Sequence, residues 1–310
     1  MNVYLVTGVA GFIGSHIVEE LLKDEINIVV GIDNFYSGKQ ENIDYLKIIS
    51  KDQFFFIEAD ICDFERLNEV IQTYSVQYIF HEAAIASVQT SIENPRFTNR
   101  VNVVGTLNIL EAARLNNVIK VVFASSAAVF GDEPSLPKNE NSPIKPISPY
   151  GYEKYMGEQY LKLYTELYGI KTVALRYFNV YGPRQNPASE YSGVISIFEN
   201  KIKNGQSITI FGDGEQYRDF VYVKDVVKSN LAAMHNDTGS YNVFCVGTSH
   251  KTSINNLVNV IQKKYHNNVH LSYESVRTGD IKESISDNSK LLNELCIKID
   301  SSLEDNVKFL

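Results

Sequence analysis

Residues 3–33 read VYLVTGVAGFIGSHIVEELLKDEINIVVGID, and this stretch carries the strongest fold signal in the chain. An apolar run, Val3–Thr7, leads into three glycines, Gly8, Gly11 and Gly14, and a helical pattern follows over Ile13–Leu22. Glycine permits a tight turn with positive φ and lets the backbone approach a pyrophosphate closely. The helix N-terminus then offers unpaired N–H groups to phosphate oxygens. The pattern favours a dinucleotide site over a glycine turn that only connects strand and helix.

Asp33 ends the second apolar run, Ile28–Ile32, about 20 residues after the glycines. A carboxylate there accepts hydrogen bonds from a ribose diol and repels a 2′-phosphate, so it favours NAD over NADP. Lys39 in the following loop leaves NADP open as the alternative. Asp60 and Ile61 follow the third strand, where we expect them beside the adenine, although Asp60 alone could equally be a helix cap.

Strand-like and helical patterns alternate through the first half of the chain. This alternation predicts an α/β fold with a doubly wound parallel sheet covered on both faces. After Phe178 the segments shorten and the loops become rich in Gly, Pro, Asn and Ser. We therefore predict a cofactor-binding domain over 1–179 and a smaller α/β substrate-binding region over 180–310. The predicted strands are Val3–Thr7, Ile28–Ile32, Phe54–Glu58, Tyr78–His81, Val121–Ser125 and Thr172–Arg176, and the predicted helices are Ile13–Leu22, Phe64–Tyr74, Arg96–Asn116 and Tyr150–Tyr168.

Composition narrows the class of protein. The 310 residues carry a formal net charge of -8 and no basic stripe, which argues against a nucleic-acid partner. Three cysteines far apart, without a CxxC pair, argue against a disulfide framework or a metal site and favour reduced thiols in the cytoplasm. No apolar run approaches the ~20 residues of a membrane span, so we expect no membrane partner.

Tyr150 and Lys154 form a YxxxK pair at the expected start of a helix, after Ser148 and Pro149. The i,i+4 spacing places both side chains on one helix face, where the cation is expected to lower the tyrosine pKa from ~10. Such a phenol could act as a base near neutral pH. A YxxxK spacing alone is expected about once by chance in a chain of this composition. The position of this pair at a helix start supports a catalytic role. Ser126 ends the fifth strand, where its hydroxyl could reach a bound substrate, or it is an ordinary turn serine.

Segments spread over nearly the whole chain match a known family in order: TGVAGFIGSH, DNFYSGK, EADICD, HEAA, NVVGTLNILEAA, SSAAVFG, SPYGYEK, LRYFNVYGPRQ, FGDGEQYRDFVYVKD and VRTGD. Through these segments the chain resembles the NAD-dependent epimerase/dehydratase group of extended short-chain dehydrogenases/reductases. The resemblance implies NAD as cofactor, a Rossmann-type sheet, a Ser126/Tyr150/Lys154 triad and a homodimer formed by the helices around Arg96–Asn116 and Tyr150–Tyr168.

The resemblance also implies two sets of binding residues. Those expected at the cofactor are Gly8, Gly11, Phe12, Ile13, Gly14, Asp33, Asn34, Asp60, Ile61, Ala83, Ala84, Asn102, Tyr150, Lys154 and Tyr177. Those expected at a sugar-nucleotide substrate are Ser87, Ser126, Tyr150, Asn179, Val194, Phe211, Arg218, Arg277, Asp280 and Ser284. Arg218 and Arg277 suit paired phosphate oxygens, although a lone arginine is more often a solvated surface charge. Ser196 stands where relatives often have proline, and Phe130 replaces the usual tyrosine of VYG.

Ala127 and Ala128 follow the triad serine. Dehydratases and decarboxylases of the group have an acid at one of these positions, and alanine can neither donate nor accept a proton. The sequence thus favours UDP-hexose 4-epimerisation: Tyr150 takes the C4 proton, NAD takes the hydride, the 4-keto sugar turns over, and the hydride returns to its other face.

Ser284 stands seven residues after Arg277, where related epimerases line the wall beside the C2 substituent of the sugar. A small hydroxyl there leaves room for an N-acetyl group, unless Ser284 is a loop serine slightly out of register. Ala86 and Ser87 are expected on the opposite wall. We therefore expect UDP-GlcNAc and UDP-GalNAc to be accepted alongside or instead of UDP-Glc and UDP-Gal. The alternatives are an epimerase of another sugar nucleotide such as UDP-glucuronate, a reductase, or a non-catalytic NAD-binding regulator.

Overall fold

A seven-stranded parallel sheet forms the centre of the structure, a computed structural model that describes residues 2–185, 194–275, 283–299 and 302–309. Its strands are β1 (Asn2–Thr7), β2 (Asn27–Asp33), β3 (Phe54–Glu58), β4 (Tyr78–His81), β5 (Lys120–Ser126), β6 (Lys171–Tyr177) and β11 (Tyr241–Val246). They lie in the order β11-β6-β5-β4-β1-β2-β3, and each neighbouring pair is parallel. The chain builds outward from β1 through β3 and then returns to the other side of β1 at β4. That reversal opens a crevice at the carboxyl ends of the strands, where such sheets bind ligands.

Helices cover both faces of this sheet. The first half of the chain contributes α1 (Phe12–Leu21), α2 (Gln40–Ile49), α3 (Phe64–Thr73), α4 (Val88–Glu93), α5 (Pro95–Asn99), α6 (Gly105–Leu115) and α7 (Pro149–Tyr168). One core packs α1, α2 and a later helix, α9 (Val223–His235), on one face, and a second core packs α3, α6 and α7 on the other. The five inner strands are nearly continuous buried runs, because both of their faces are covered, whereas the edge strands β3 and β11 are partly exposed.

Residues beyond 180 add a smaller α/β region with its own apolar cluster. Its elements pair in small sheets: β10 with β7, β13 with β8, and β9 with both β12 and β14. Besides α9 and β11, the elements here are β7 (Asn179–Tyr181), α8 (Val194–Lys203), β8 (Ile208–Phe211), β9 (Tyr217–Arg218), β10 (Phe220–Tyr222), β12 (Thr252–Ser253), α10 (Ile254–Tyr265), β13 (Leu271–Glu274), β14 (Glu283–Ser284), α11 (Ser289–Glu294) and α12 (Leu303–Asn306).

The predicted α/β fold and parallel sheet are confirmed, and the six predicted strands agree with the structure to within a residue or so at each end. Three features differ from the sequence prediction. The predicted helix Arg96–Asn116 consists of α5, a π-helical turn over Arg100–Val104, and α6. The helices α2 and α4 were not predicted. The sheet has a seventh strand, β11, so the chain after residue 180 returns to the central sheet through α9 and β11 before it continues.

Within the described residues, no helix combines the length and apolar character needed to cross a bilayer.

Candidate active site

The turn after β1 is shaped by close backbone approach. Gly8 has φ +70, a conformation that side chains other than glycine rarely adopt. A Cβ atom on Gly14 would lie 2.4 Å from the carbonyl oxygen of Gly8, so only glycine fits there. Gly11 is the N-cap of α1 and has an ordinary negative φ. The left-handed turn therefore falls on Gly8 alone, and the other two glycines bring helix and strand together.

Asp33 ends β2 and faces this turn. One carboxylate oxygen accepts the N–H of Ala10 at 2.9 Å and the other accepts the N–H of Phe35 at 2.8 Å. Burial raises the pKa of Asp33 above its usual value. The side chain thus fixes the glycine turn in addition to the ribose contact that the sequence predicts, and it lines the same cleft as Gly8 and Gly14.

Asn34 and Asp60, both predicted at the cofactor, lie against each other. The Asn34 amide donates to the Asp60 carboxylate at 3.3 Å, and Asp60 also accepts the N–H of Cys62 at 2.8 Å. Asp60 is not the helix cap that the sequence left open as an alternative. The N-cap of α3 is Asp63, whose carboxylate accepts the N–H of Arg66. At the expected adenine position, the polar side chains of Asn34 and Asp60 are therefore fixed by hydrogen bonds.

The N-terminus of α7 places the tyrosine–lysine pair. Ser148 caps the helix by accepting the N–H of Gly151, and Pro149 occupies the first turn. The N–H of Tyr150 is held from outside the helix, by the buried hydroxyl of Ser91 in α4 at 3.1 Å. The Lys154 ammonium donates to the carbonyl oxygen of Ala124 in β5 at 2.8 Å.

The electrostatics of this pair differ from the sequence prediction. Burial raises the pKa of Tyr150 to about 12, with the Ser126 hydroxyl acting in the opposite direction. The net shift of the Tyr150 pKa is therefore upward, opposite to the one expected from the sequence, because burial outweighs the effect expected from Lys154. The Lys154 nitrogen lies 5.9 Å from the Tyr150 ring centroid and is bonded to Ala124 instead. Burial also lowers the pKa of Lys154 to about 8.

Ser126 stands at the last position of β5, in register with Tyr177 of β6. Its hydroxyl accepts the N–H of Ala128 at 3.1 Å and caps a short 3₁₀ turn over Ala127–Phe130. The turn-serine alternative is thus true as well, but the side chain still lines the cleft beside Tyr150 and Lys154. The structure brings the predicted triad into one cavity.

That cleft, of about 440 Å³, gathers most of the predicted residues. Its lining includes Gly8, Gly11, Phe12, Ile13, Gly14, Asp33, Ala83, Ala84, Ser126, Tyr150, Lys154, Tyr177, Asn179 and Val194. The predicted residues that do not line it are Asn34, Asp60, Ile61, Ser87, Asn102, Phe211, Arg218 and Ser284. The cleft runs from the glycine turn to the triad, as a dinucleotide site requires.

Asn102 supports the cleft from behind. Asn102 lies in the π-helical turn, and its side chain is buried. Its amide oxygen accepts the N–H of Ile85 at 2.8 Å, and its amide nitrogen donates to the Ile85 carbonyl oxygen and to Glu153. Glu153 also accepts the Thr98 hydroxyl at 2.6 Å. Asn102 therefore ties the loop after β4 to α7, the helix that carries Tyr150 and Lys154.

Ser87 is the N-cap of α4 and is almost fully buried. Its hydroxyl accepts from both the N–H and the hydroxyl of Thr90. Ala86, its neighbour, lines the cleft. This geometry favours Ala86 over Ser87 as a wall residue.

The predicted substrate residues beyond 180 are brought together by two short strands. Ser284 of β14 lies beside Arg218 of β9 in a parallel pair. Asp219 anchors both, as its carboxylate accepts from Thr248, Ser249 and Ser286. Phe211 ends β8, and Arg277 and Asp280 lie outside the described residues.

Several cleft residues were not predicted from the sequence. They are Ala10, Tyr36, Ser37, Asn42, Glu82, Ile85, Ala124, Ser125, Phe178, Val180, Arg184, Gln185, Ile195 and Phe220. Glu82 offered a signal, because it is an acid directly after a buried strand that ends at the crevice. Arg184 gave less signal, since its position depends on contacts with His16 and Glu19 in α1 that only the fold shows.

These residues fit NAD. The Gly14 position is a cradle that a single Cβ atom would fill, and the first turn of α1 has N–H groups without intrahelical partners. Asp33 lines the cleft at the end of β2, where a carboxylate would bind a ribose diol and repel a 2′-phosphate. Residues Gly8 to Gly14 would hold the pyrophosphate, and Lys154 and Tyr177 line the opposite, catalytic end.

Comparison with known proteins points the same way. Residues 4–247 match the model of the NAD dependent epimerase/dehydratase family. A UDP-glucose 4-epimerase of Mycolicibacterium smegmatis is 41% identical over 92% of this chain and 90% of its own length. The crystal structure of a UDP-glucose 4-epimerase from Thermotoga maritima with UDP-glucose has a TM-score of 0.93 at 38% identity, covering 99% of this chain and 96% of that one. A UDP-N-acetylglucosamine 4-epimerase from Methanobrevibacter ruminantium, in complex with UDP-N-acetylmuramic acid, has a TM-score of 0.91 at 40% identity, covering 99% and 97%.

Proposed function

Because this chain belongs to the NAD-dependent epimerase/dehydratase family, we propose that it is a UDP-hexose 4-epimerase that inverts C4 through a transient 4-keto sugar. The observation that carries the proposal is the cavity shared by Ser126, Tyr150 and Lys154, next to a turn in which Ala127 and Ala128 supply no acid. The relative and the two solved structures named above support UDP-sugars as the substrate class.

We assign each of the three residues a role that its position in the cavity supports. Tyr150 exchanges the proton of the C4 hydroxyl, and Ser126 bridges the phenol and the substrate oxygen. Lys154 supplies a fixed positive charge beside them. Bound NAD would supply a reversible hydride acceptor, and its positively charged nicotinamide ring would favour the Tyr150 phenolate that burial otherwise disfavours.

The absence of an acid after Ser126 favours epimerisation over elimination. Loss of water or carbon dioxide from a keto sugar needs a group that gives or takes a second proton. Ala127 and Ala128 have methyl side chains only, and Val129 and Phe130 follow in the same 3₁₀ turn. Return of the hydride to C4 is the path that the available side chains support.

We infer that the substrate region recognises UDP through Arg218 and Asn179 and leaves space at C2 through Ser284. The residues 180–310 would bind the sugar nucleotide, and residues 1–179 would bind NAD. The side-by-side position of Ser284 and Arg218 supports this arrangement. In a UDP-hexose the sugar is attached through C1 to the diphosphate that Arg218 would bind, so the two residues would contact adjoining parts of the substrate. On this basis UDP-GlcNAc and UDP-GalNAc are substrates alongside or instead of UDP-Glc and UDP-Gal.

One experiment tests the function directly. The purified protein is incubated with UDP-Glc, UDP-Gal, UDP-GlcNAc, UDP-GalNAc and UDP-GlcA, and the products are resolved by chromatography. We expect C4 epimers, with no net consumption of added NAD. Tyr150→Phe should lose turnover and retain NAD, whereas Tyr152→Phe, an exposed position on the same helix, should stay active. Full activity of Tyr150→Phe, or stoichiometric use of NAD, would refute the proposal.

We further propose that the protein is a homodimer. Helix α7 buries Lys154, Glu158 and Leu161 on one side and exposes an apolar stripe on the other. The stripe comprises Tyr152, Met156, Leu163 and Leu167. Further exposed apolar residues are Val88 and Ile92 of α4, Val104 of the π-helical turn and Leu115 of α6. A second copy of the same helices would cover this surface isologously.

We also propose a cytoplasmic location. Cys62, Cys245 and Cys296 are all free thiols, and Cys296 is exposed. Free thiols persist in a reducing compartment.

A further inference from the structure

Glu82 is an acid with no role in the scheme above. It follows His81, the last residue of β4, and lines the cleft. Its carboxylate accepts the hydroxyl of Tyr177 at 2.9 Å, and the same hydroxyl accepts the Asn230 amide at 2.7 Å. Two neighbouring elements, β6 and α9, thus hold this carboxylate at the triad end of the crevice.

Lys154 sits close to the same point. His81, the last residue of β4, is in register with Phe123 of β5, and Glu82 and Ala124 are the next residues of the two segments. The Ala124 carbonyl oxygen accepts a hydrogen bond from the Lys154 ammonium at 2.8 Å. Neighbouring parallel strands are only ~4.8 Å apart. Lys154 is 3% exposed, and a neutral carbonyl does not offset the cost of burying its charge.

We propose that Glu82 is a positioning residue for the catalytic lysine, and that its carboxylate is the counter-charge that keeps the buried Lys154 ammonium protonated. An ammonium that loses its proton no longer stabilises a phenolate on Tyr150. Glu82 acts through Lys154 and requires no contact of its own with the substrate. The inference rests on the proposed function only where turnover is the readout.

The other ionisable groups around the pair do not replace Glu82. They are Glu153 and Tyr150 of α7, His81 of β4 and Tyr177 of β6. Burial lowers the pKa of His81 to about 3, so it stays neutral, and burial raises the pKa of Tyr177 far above its usual value. Glu153 also favours the ammonium, but less than Glu82 does, and its two oxygens accept hydrogen bonds from Thr98 and Asn102.

The pKa values agree with this arrangement. Burial lowers the pKa of Lys154 to about 8, and the nearby charges of Glu82 and then Glu153 act against that decrease. Burial raises the pKa of Glu82 to about 7. Above pH 7 Glu82 is charged, which is the range in which Lys154 would otherwise begin to lose its proton. Removing the Glu82 charge must therefore lower the Lys154 pKa further.

The test measures Lys154 itself. The NAD-loaded protein is labelled with ¹³C at lysine Cε, the Lys154 resonance is assigned with Lys154→Arg, and its midpoint is followed with pH. Glu82→Gln should move the midpoint down by about one pH unit. Glu82→Asp, which keeps the charge, should restore most of the shift, and Glu65→Gln, an exposed carboxylate, should leave the midpoint unchanged.

Turnover provides the second readout. In Glu82→Gln the alkaline limb of kcat should move down with the Lys154 midpoint, while KM changes little. A folded Glu82→Gln protein with an unchanged midpoint would overturn the inference. If Glu82→Gln does not fold, the wild-type Lys154 resonance must itself show a second inflection at the pH where the Glu82 carboxylate titrates, and a single-step curve would overturn the inference. Wild-type protein without activity on any UDP-sugar would refute the proposed function alone, because the midpoints remain measurable.

Discussion

Ser284 and Arg218 are direct neighbours across the parallel pair of β14 and β9, although they lie far apart in the sequence. The pair is part of a three-stranded sheet that also contains Thr252 and Ser253 of β12. A second attachment holds it from the other side, since Lys138 exchanges backbone hydrogen bonds with Ile285 and Asp287. The loop that follows Ser126 is therefore tied to the strand that carries Ser284, which links the triad to the predicted sugar wall.

Ser284→Tyr should narrow substrate choice. A tyrosine ring beside Arg218 would occupy the space that an N-acetyl group needs, so turnover of UDP-GlcNAc should fall roughly tenfold or more. Turnover of UDP-Glc, which has only a hydroxyl at C2, should change much less and serves as the internal control. The measurement is kcat/KM for both substrates. Equal values for the variant and the parent on UDP-GlcNAc would remove Ser284 from the sugar wall.

Asp219→Ala should destabilise the protein and weaken substrate binding. Its fully buried carboxylate accepts five hydrogen bonds from Thr248, Ser249 and Ser286, and these donors would lose their acceptor. We expect a loss of about 3 kcal/mol in the free energy of unfolding, measured in urea. KM should rise as well, because Arg218 precedes Asp219. Asp213→Ala, an exposed position in the same region, is the control and should stay near the parent in both measurements.

The sequence was most informative where one local pattern determines the backbone. The glycine turn, Asp33 at the end of β2 and the helix that carries Tyr150 and Lys154 were all predictable, because each depends on residues close together in the chain. The seventh strand was not, since Tyr241–Val246 is placed by its pairing with β6. The raised pKa of Tyr150 was also missed, because it depends on burial by distant segments. The contacts of Glu82 could not be predicted for the same reason, because its hydrogen-bond network includes Tyr177 of β6 and Asn230 of α9.

Gly14→Ala should impair NAD binding while the protein stays folded. The new Cβ would lie 2.4 Å from the carbonyl oxygen of Gly8 and push the turn away from the pyrophosphate position. NAD affinity should fall by at least about tenfold, or ~1.4 kcal/mol. Gly11→Ala is a graded comparison, because its Cβ would lie 3.0 Å from the same oxygen and should cost less. Bound NAD per chain after gel filtration is the measurement, and undiminished content in Gly14→Ala would contradict the assignment of the turn.

Met156→Glu should weaken the proposed dimer. The residue lies in the middle of the exposed stripe on α7, and burying a carboxylate among apolar side chains costs on the order of 2 kcal/mol or more. The dimer dissociation constant should rise at least about tenfold, measured by sedimentation equilibrium. Ile48→Glu places the same charge on an exposed apolar position of α2, away from the stripe, and should leave association unchanged. Equal dissociation constants for the two variants would show that the stripe is not the interface.

Ser91→Ala should lower kcat without a matching change in KM. The Ser91 hydroxyl is fully buried, donates to Val88 C=O at 2.6 Å and accepts the N–H of Tyr150 at 3.1 Å, so it fixes where the catalytic helix begins. Losing one such hydrogen bond costs about 1 kcal/mol, which corresponds to roughly a fivefold loss of kcat if the Tyr150 position relaxes. Thr90→Ala removes a neighbouring hydroxyl that does not touch Tyr150 and should cost less. Ser91→Cys, which keeps a weak acceptor, should recover part of the rate. A Ser91→Ala enzyme that loses thermal stability but keeps its full kcat would show that Ser91 stabilises the fold without positioning Tyr150.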